Sequence, residues 1–505
     1  MANTLVKTPR RILGPDGQPW APRRGLEARY ESAASTKDNY KRWAWVDSLS
    51  PDALATSEVR KVLRNRCRYE VRNNSYLSGM LLSLANDCIG VGPQLQMQTG
   101  NDELDGMIET SFWQWSREVR LAEKLRLMRL ARAEAGEAFG ILVSNPNLLH
   151  PVKMALSVRE AEEIADPALM GVLQSDWYDG IRFDEYGNPI TYRVLRAHPG
   201  ATGVLASLQL RYDDIKARYV LHYYRPARPG QRRGIPDVTP AIGIFMELRR
   251  TCEAVIAAYE SAADFAAVLE TDQSPDADDA IDAAGTTTGT TVTPQALDLV
   301  ELTRRAATVL PRNYKLSQVK AEHPSANYEM FVNQKLREAA RCLNMPFTIA
   351  ALDSSQANMS AAYLDHQTYA KGILVDRDDM EVLLDRMLDQ WLTEAVNTPD
   401  ALPAMPDRVS HSWRWPRIGQ HADPMKVAVS DSQRMANNST SLAAICGRDG
   451  DDWEEVLRQK AKEKALMRKL GLIEEQPSEE SRRAAMEDDE QPPAGRGAPG
   501  RPRNR

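Results

Sequence analysis

Apolar and polar residues along this chain follow two different periods, with stretches between them that follow none. Residues 1–40 belong to the last kind: Lys7, Arg10, Arg11, Arg23 and Arg24 stand among Pro9, Pro15, Pro19 and Pro22. Such a segment reads as an extended arm that orders only against a neighbour. From Ser57 to Asn86 the spacing is helical, through Val62 and Leu63 and then Tyr76, Met80, Leu81 and Leu84, until Gly90 and Gly92-Pro93 stop it. A further helical run, Asp102 to about Ser116, carries Met107, Ile108, Phe112 and Trp115. Between Gly136 and Tyr224 the period falls to two. Phe139, Ile141 and Val143 read as a half-buried strand, and Ile181–Phe183 with Ile190–Val194 as a hairpin turning on Tyr186-Gly187-Asn188-Pro189. Tyr219–Tyr224 is another strand, so this part is α+β.

The longest regular pattern starts near Pro240. Phe245, Leu248, Cys252, Val255, Tyr259, Ala262, Ala266 and Leu269 alternate at spacings of 3 and 4. A 3.5-residue repeat of that length describes one helix with a narrow apolar seam, roughly 28 residues and about 42 Å long. The seam begins bulky and ends in alanine, which suits close packing on a neighbour; a long core helix of a large domain gives the same periodicity. Thr271–Thr293 is polar and low in complexity, with Ser274-Pro275 and the run Gly285-Thr-Thr-Thr-Gly-Thr-Thr, and Pro294 opens a shorter helical run closed by Pro311.

Farther on, Tyr328, Phe331, Val332, Leu336, Ala339, Ala340 and Leu343 form an amphipathic helix ended by Pro346. Leu352–Ser360 is a polar loop. A long helix follows to about Val396, with Met380, Leu383, Leu384, Met387, Leu388, Trp391 and Leu392 on one stripe. Trp453–Leu470 is a last, charged helix. From Glu474 the tail mixes acids with prolines and ends in arginines, a composition that cannot order itself.

Charge sharpens the picture in one place. From Thr251 to Thr303 there are 11 acidic residues and no Lys or Arg. A surface that grips duplex phosphates needs cations, so this segment would repel DNA; an acidic face that merely keeps a domain soluble has the same composition. The length of 505 residues suggests two to four structural units. No stretch approaches 18 uncharged apolar residues, which argues against a membrane span, and the start lacks the apolar core of a secretion signal. Cys67, Cys88, Cys252, Cys342 and Cys446 have no pairing rhythm, which suits a reducing compartment.

Motifs that would indicate an enzyme are missing: there is no GxxxxGK[ST], HExxH, CxxC or GxSxG. The seven histidines are never paired at helical spacing, and Asp278-Asp279 and Asp378-Asp379 read as solvated charge rather than metal pairs. No cofactor and no metal is expected.

Several strings resemble the lambda-type bacteriophage portal proteins. They are Arg64–Tyr76 with Asn86–Pro93, Gly180–Tyr192, His222–Pro236 running into the long helix, Phe331–Pro346, and Trp413–Pro416 through Asp423-Pro424, Asn438–Thr440 and Gly447–Asp449. Their order and spacing over about residues 40–472 carry the likeness. The resemblance implies an α+β portal fold with an α/β wing, long paired stem helices, a small clip and a helical crown, assembled as a ring, usually of twelve copies. On that map residues 1–40 are an N-terminal arm, 41–239 the first part of the wing, and 240–268 the first stem helix. The clip is 269–293, the second stem helix 294–310, and the second part of the wing 311–422; the crown is 423–472 and the disordered tail 473–505. Asp353, Ser354, Ser355, Gln356, Asn358 and Ser360 would form a tunnel loop (352–360) facing DNA in the channel. Family members often carry an Arg just after it, which Met359–Tyr363 here lacks.

Asp264, Glu270, Asp272, Asp276, Asp278, Asp279 and Asp282 would line the stem and clip. Phe245, Leu248, Cys252, Val255, Tyr259, Ala262 and Ala266 would be the seam between subunits. The implied role is a channel at one capsid vertex, assembled in the host cytoplasm, through which double-stranded DNA is packaged and ejected. It would nucleate the capsid and dock the major capsid protein, the terminase large subunit and the neck or head-tail connector proteins, with no membrane partner. A packaging or processing enzyme and a structural adaptor without a channel are the alternatives.

Overall fold

A computed structural model of the chain describes residues 41, 48–166, 176–202, 211–264, 268–271, 314–317, 325–355, 357–399, 401–403, 409–418, 424–449, 451 and 453–472. The contacts divide it into two units, residues 1–56 and 57–505. Within the first, α1 (Pro51–Leu54) is a single turn whose Ser50 hydroxyl accepts from the Ala53 amide at 3.3 Å.

The second unit is mixed α+β and mostly helical. It opens with α2 (Ser57–Asn73) and α3 (Ser75–Ile89). Asn74 separates them because its side chain caps α3, accepting from the amides of Tyr76 and Leu77 at 3.1 and 3.2 Å. After β1 (Gln94–Gln98), Asn101 caps α4 (Asp102–Glu118) in the same way, and α5 (Leu121–Ala135) follows. Gly136 ends α5 with φ of 92°, and its backbone lies so close to Gly234 that a Cβ on Gly234 would sit 2.0 Å from the Gly136 carbonyl oxygen.

Two antiparallel sheets come next. β2 (Glu137–Ser144) is the centre of one, between β3 (Met154–Arg159) and β8 (Val220–Tyr224). The other runs in the order β4 (Trp177–Tyr178), β5 (Ile181–Phe183), β6 (Pro189–Leu195), β7 (Tyr212–Lys216). The hairpin β5–β6 is the one the sequence announces. Its turn is held by the Asp184 carboxylate, which accepts from the amides of Tyr186 and Asn188.

α6 (Ile242–Asp264) is the long helix, 23 residues and about 35 Å. It is shorter at its far end than the seam suggests, because Val268–Thr271 is a strand, β9, paired antiparallel with β10 (Tyr314–Ser317). α7 (Ser325–Arg341), α8 (Phe347–Ala350) and the 39-residue α9 (Met359–Asn397) return to the body. β11 (Ser410–Arg414) pairs with β1 across more than 300 residues, and α10 (Pro424–Ala436), α11 (Leu442–Asp449) and α12 (Trp453–Lys469) complete the described chain.

One hydrophobic core joins α3, α4, α5, the three-stranded sheet, the start of α6, α7 and the later part of α9. Its densest point is aromatic: the Phe112 ring lies 5.3 Å from Trp115, 5.2 Å from Trp391 and 5.7 Å from Trp413. The Trp115 indole nitrogen donates to the Met154 carbonyl at 2.7 Å, so this buried ring leaves no polar atom unmatched. A smaller core, with Phe139, Ile141, Ile181 and Tyr192, lies between the two sheets.

The core corrects one expectation about the seam. Phe245 and Leu248 are 1% and 5% exposed in the single chain, so they are packed inside it and have no surface left for a neighbour. Cys252 and Val255 are half-buried and Tyr259 is exposed. The side chains of Ala262 and Ala266 lie outside the described residues.

Candidate functional site

Those residues with expected roles that are described fall on α6, on β9 and on the turn that leads into α9. Beyond Leu248, α6 buries progressively less. Ile256 and Tyr259 are exposed, and Tyr328 at the start of α7 donates from its hydroxyl to Cys252 Sγ at 3.0 Å. Arg249 also donates to Glu70 at 2.7 Å and Lys335 to Glu247 at 3.1 Å, so the helix is rooted by two turns of apolar contact and by polar contacts to α2 and α7, and is exposed beyond them among the described residues. Among the expected acidic residues, Asp264 ends α6 and Glu270 is in β9 opposite Lys315. Their side chains, and all of Asp272, Asp276, Asp278, Asp279 and Asp282, lie outside the described residues, as do 272–293 and the expected second stem helix 294–310.

The polar loop is shorter than the sequence implies. It runs from Leu352, which is exposed at φ of 51°, to Asn358. Asn358 caps α9 by accepting from the Ser360 amide at 3.0 Å, which places Ser360 in the first turn of the helix. Asp353 accepts from the Ser355 amide at 2.9 Å, and these bonds hold its carboxylate below the usual range. Ser354, Ser355 and Asn358 are exposed; Gln356 lies outside the described residues. Hydroxyls, amides and one carboxylate are thus presented to solvent on a tight turn.

What aims the turn is α9, whose two ends are held very differently. From 359 to 368 it has no buried side chain, and Thr348 Oγ1 meets His366 Nε2 at 3.1 Å. That makes roughly 15 Å of helix without a buried side chain. From Tyr369 onward it is fixed turn by turn. Tyr369 donates to Asp87 Oδ2 at 3.0 Å, and Arg377 donates to the carbonyls of Cys88 and Asp87 at 2.8 and 2.9 Å. Trp415 donates to Glu381 at 2.6 Å, and Trp413 and His411 meet Asp385 at 2.7 and 2.9 Å. The apolar stripe Met380–Trp391 is buried as its spacing predicts.

The strongest anchor is ionic. Asp376 accepts from Arg129 at 2.8 and 3.1 Å and from Arg132 at 3.2 Å. Arg129 also reaches Asp237 at 3.3 Å, and Arg132 reaches the Tyr223 hydroxyl at 2.8 Å. Burial opposes ionisation of Asp376, but the two guanidinium groups outweigh it and hold the carboxyl below its ordinary value. Asp379, read above as solvated, is half-buried 3.7 Å from Arg132, and burial raises its carboxyl; Asp378 is exposed as expected.

A second buried network ties the sheets together. Glu137 accepts from Arg233 Nε and Nη2 at 2.8–3.0 Å, from the Gly234 amide at 3.0 Å, and lies 3.1 Å from His222 Nε2. Arg233 also donates to the carbonyls of Ile164 and Ala161 and to Asp179, which Arg60 reaches from α2. Burial works against the Glu137 carboxylate, yet Arg233 and His222 hold it far below its ordinary value. His222 is stacked between Phe139 and Tyr224, and burial lowers its imidazole despite the nearby Glu137. Arg64 lies 3.9 Å from the same Glu137 carboxylate, so the strings Arg64–Tyr76 and His222–Pro236 place Arg64, His222 and Arg233 in one structural cluster.

Sequence reasoning missed both networks. The one available signal was arginine inside apolar runs, at Arg129 and Arg132 of α5. Among the described residues, Glu160, Glu162 and His198 come close enough to share a metal ion. Glu162 is already held by Arg64 at 3.0 Å and Arg68 at 2.8 Å, so a cation there would meet two fixed positive charges. None of these groups is placed as a nucleophile beside a base.

A family model described as phage portal protein, lambda family, matches residues 36–375. The probable portal protein of Halomonas phage phiHAP-1 is 22% identical over 490 residues, covering 91% of this chain and 90% of that protein. Two solved structures are similar at 12% identity. The neck of an empty gene transfer agent particle, computed with C6 symmetry, has a TM-score of 0.44 and covers 78% of this chain and 95% of that one. The neck of a native particle, computed with C12 symmetry, has a TM-score of 0.41 and covers 75% and 89%.

Proposed function

The chain belongs to the lambda family of phage portal proteins, a structural and non-enzymatic component of the virion, and from that membership we propose that its copies close into a ring around a DNA channel. In this reading double-stranded DNA passes through the ring during packaging and ejection, and the ring nucleates the capsid and docks the terminase and the head-tail connector. α6 is the first stem helix, with the second within 294–310, and the strand pair β9–β10 is where stem and clip join. Residues 41–239 and 311–422 form the wing, 352–358 the tunnel loop, and 423–472 the crown.

The observation that carries this reading is the way α6 leaves the body. A helix whose apolar side is buried for two turns and then exposes Ile256 and Tyr259 presents, among the described residues, an exposed apolar surface. Side-by-side copies related by rotation would cover it on every subunit at once, which is how a head-to-tail ring closes. Cys252, Val255, Tyr259, Ala262 and Ala266 remain as the proposed seam.

The chemistry of the turn before α9 fits DNA that must move. Exposed hydroxyls, amides and backbone groups can meet phosphate oxygens weakly and without reading sequence. Rings of uniform subunit number, with a central hole, are expected by electron microscopy of the purified chain. A monodisperse 56.5 kDa monomer at micromolar concentration would sink the proposal, and an open, non-cyclic oligomer would favour an adaptor without a channel.

A further inference from the structure

The function proposed above places α12 in the crown without giving its side chains a task, although its composition is opposite to that of the stem. Every described side chain from Leu457 to Leu472 is exposed. This stretch carries Arg458, Lys460, Lys462, Lys464, Arg468 and Lys469 against Glu463 alone, a net of +5 in a chain of net −6. Arg458 pairs with Glu454 at 3.0 Å on its own helix. The other five cations have no ion pair among the described residues.

The placement of these charges is directional. At 100° per residue, Ala461 and Ala465 share a face with Glu454, which is paired to Arg458; Arg458, Lys462 and Lys469 lie along one side and Leu457, Lys464 and Arg468 along the other. Leu466, Met467 and Leu470 fall on the opposite side. A small-residue centre lets the helix axis come close to a partner, and cations on both flanks then meet two rows of negative charge. A second copy of the helix cannot be that partner, because like charges would face each other. Duplex DNA offers two such rows, with one negative charge per roughly 1.7 Å of axis. A base-reading contact would require long polar side chains at the centre, and alanine supplies none.

We propose that the α12 face centred on Ala461 and Ala465 is a sequence-independent docking surface for the phosphate backbones of duplex DNA. The inference rests on the channel reading only for bringing DNA to the protein. It assigns grip to α12, where the acidic stem is assigned passage.

The test is binding of a short, random-sequence fluorescent duplex to the full chain over roughly 0.05–0.2 M salt. The variant carries Lys462→Gln, Lys464→Gln, Arg468→Gln and Lys469→Gln, with glutamine chosen because it keeps helix propensity. We expect affinity to fall at least about tenfold and the log–log salt slope to become shallower by about 3.6, at 0.9 per lost phosphate contact. The variant Lys61→Gln/Arg66→Gln on α2 should leave both nearly unchanged. Absence of binding by the wild-type chain, an unchanged quadruple variant, or an equal loss in the α2 variant would each overturn the proposal. Polyglutamate competing as well as duplex of equal charge would also overturn it and assign the face to an acidic protein. Ring mass is measured on the same samples. Binding through α12 by a chain that never closes into a ring would end the channel reading and leave this one standing.

Discussion

Glu137 shows how much of this protein's stability depends on single charges. It is completely buried, and it is tolerated because Arg233, His222 and the Gly234 amide surround it. Glu137→Ala would strand the Arg233 guanidinium in the interior, and the expected cost is about 3–5 kcal/mol, read as a loss of denaturation free energy. Asp176→Ala, which breaks the half-exposed pair with Arg182, should cost less than about 1 kcal/mol. Acid should act through this cluster and the Asp376 network in two stages. His222 has a lowered pKa when folded, so the unfolded chain binds the extra proton first, and stability falls as pH drops through the ordinary value of 6.5. Glu137 and Asp376 have lowered values too, so their contribution is present above the ordinary 4.5 and 3.8 and is lost as pH falls below them. Asp379 and Glu381, raised by burial, work in the opposite sense and blunt the second stage. His150 is lowered by burial as well and adds to the first stage, so His222→Phe should shrink that stage in a plot of unfolding free energy against pH while leaving the second. A first stage unchanged in that variant would place the proton elsewhere.

Between residue and molecule, the helix ends decide what each element can do. α6 has a root and a free part, and the two parts should respond differently to substitution. Phe245→Ala opens a cavity in the chain's own core and should cost about 3–5 kcal/mol of its stability, ring or no ring. Val255→Asp lies where burial is partial, so the isolated chain should keep its melting temperature. Packed between neighbouring stems, however, an unpaired carboxylate should cost several kcal/mol per subunit and prevent closure. Light scattering separates the two effects, and intact rings from Val255→Asp would show that the seam runs elsewhere. The same contrast explains which elements the sequence made legible. α3, α4 and the hairpin β5–β6 carry both their period and their caps locally, at Asn74, Asn101 and Asp184, so a few residues suffice to read them. α5 went unread because Arg129 and Arg132 interrupt its apolar stripe at buried positions. Their partners Asp237, Asp376 and Tyr223 lie about 90 to 250 residues away, and no local period registers a pairing at that distance. β1 and β11, joined across more than 300 residues, were lost for the same reason.

In the whole molecule, charge is distributed by task. The body pairs its buried Glu137 and Asp376 internally with Arg233, Arg129 and Arg132. Residues 251–303 hold 11 acids without a base, and the exposed length of α12 holds six bases with one acid. If copies stand around a channel, the acidic stretch repeats on every subunit and becomes a wall of one sign. Its repulsion is screened over a Debye length of about 8 Å at physiological salt. Duplex DNA within that distance is kept off the wall without being held at any one point, which is what sliding requires. Replacing Asp276, Asp278, Asp279 and Asp282 with Lys changes the charge by eight units per copy and creates phosphate contacts where there were none. Rings should still form, since none of these residues belongs to the proposed seam. DNA translocation should slow, with duplex retained in the channel, and higher salt should partly restore passage by shortening the screening length. Packaging and ejection at wild-type rates in that variant would show that the acidic stretch is a solubilising surface away from the DNA path. Slowed passage that salt does not relieve would point instead to a steric effect of the longer side chains.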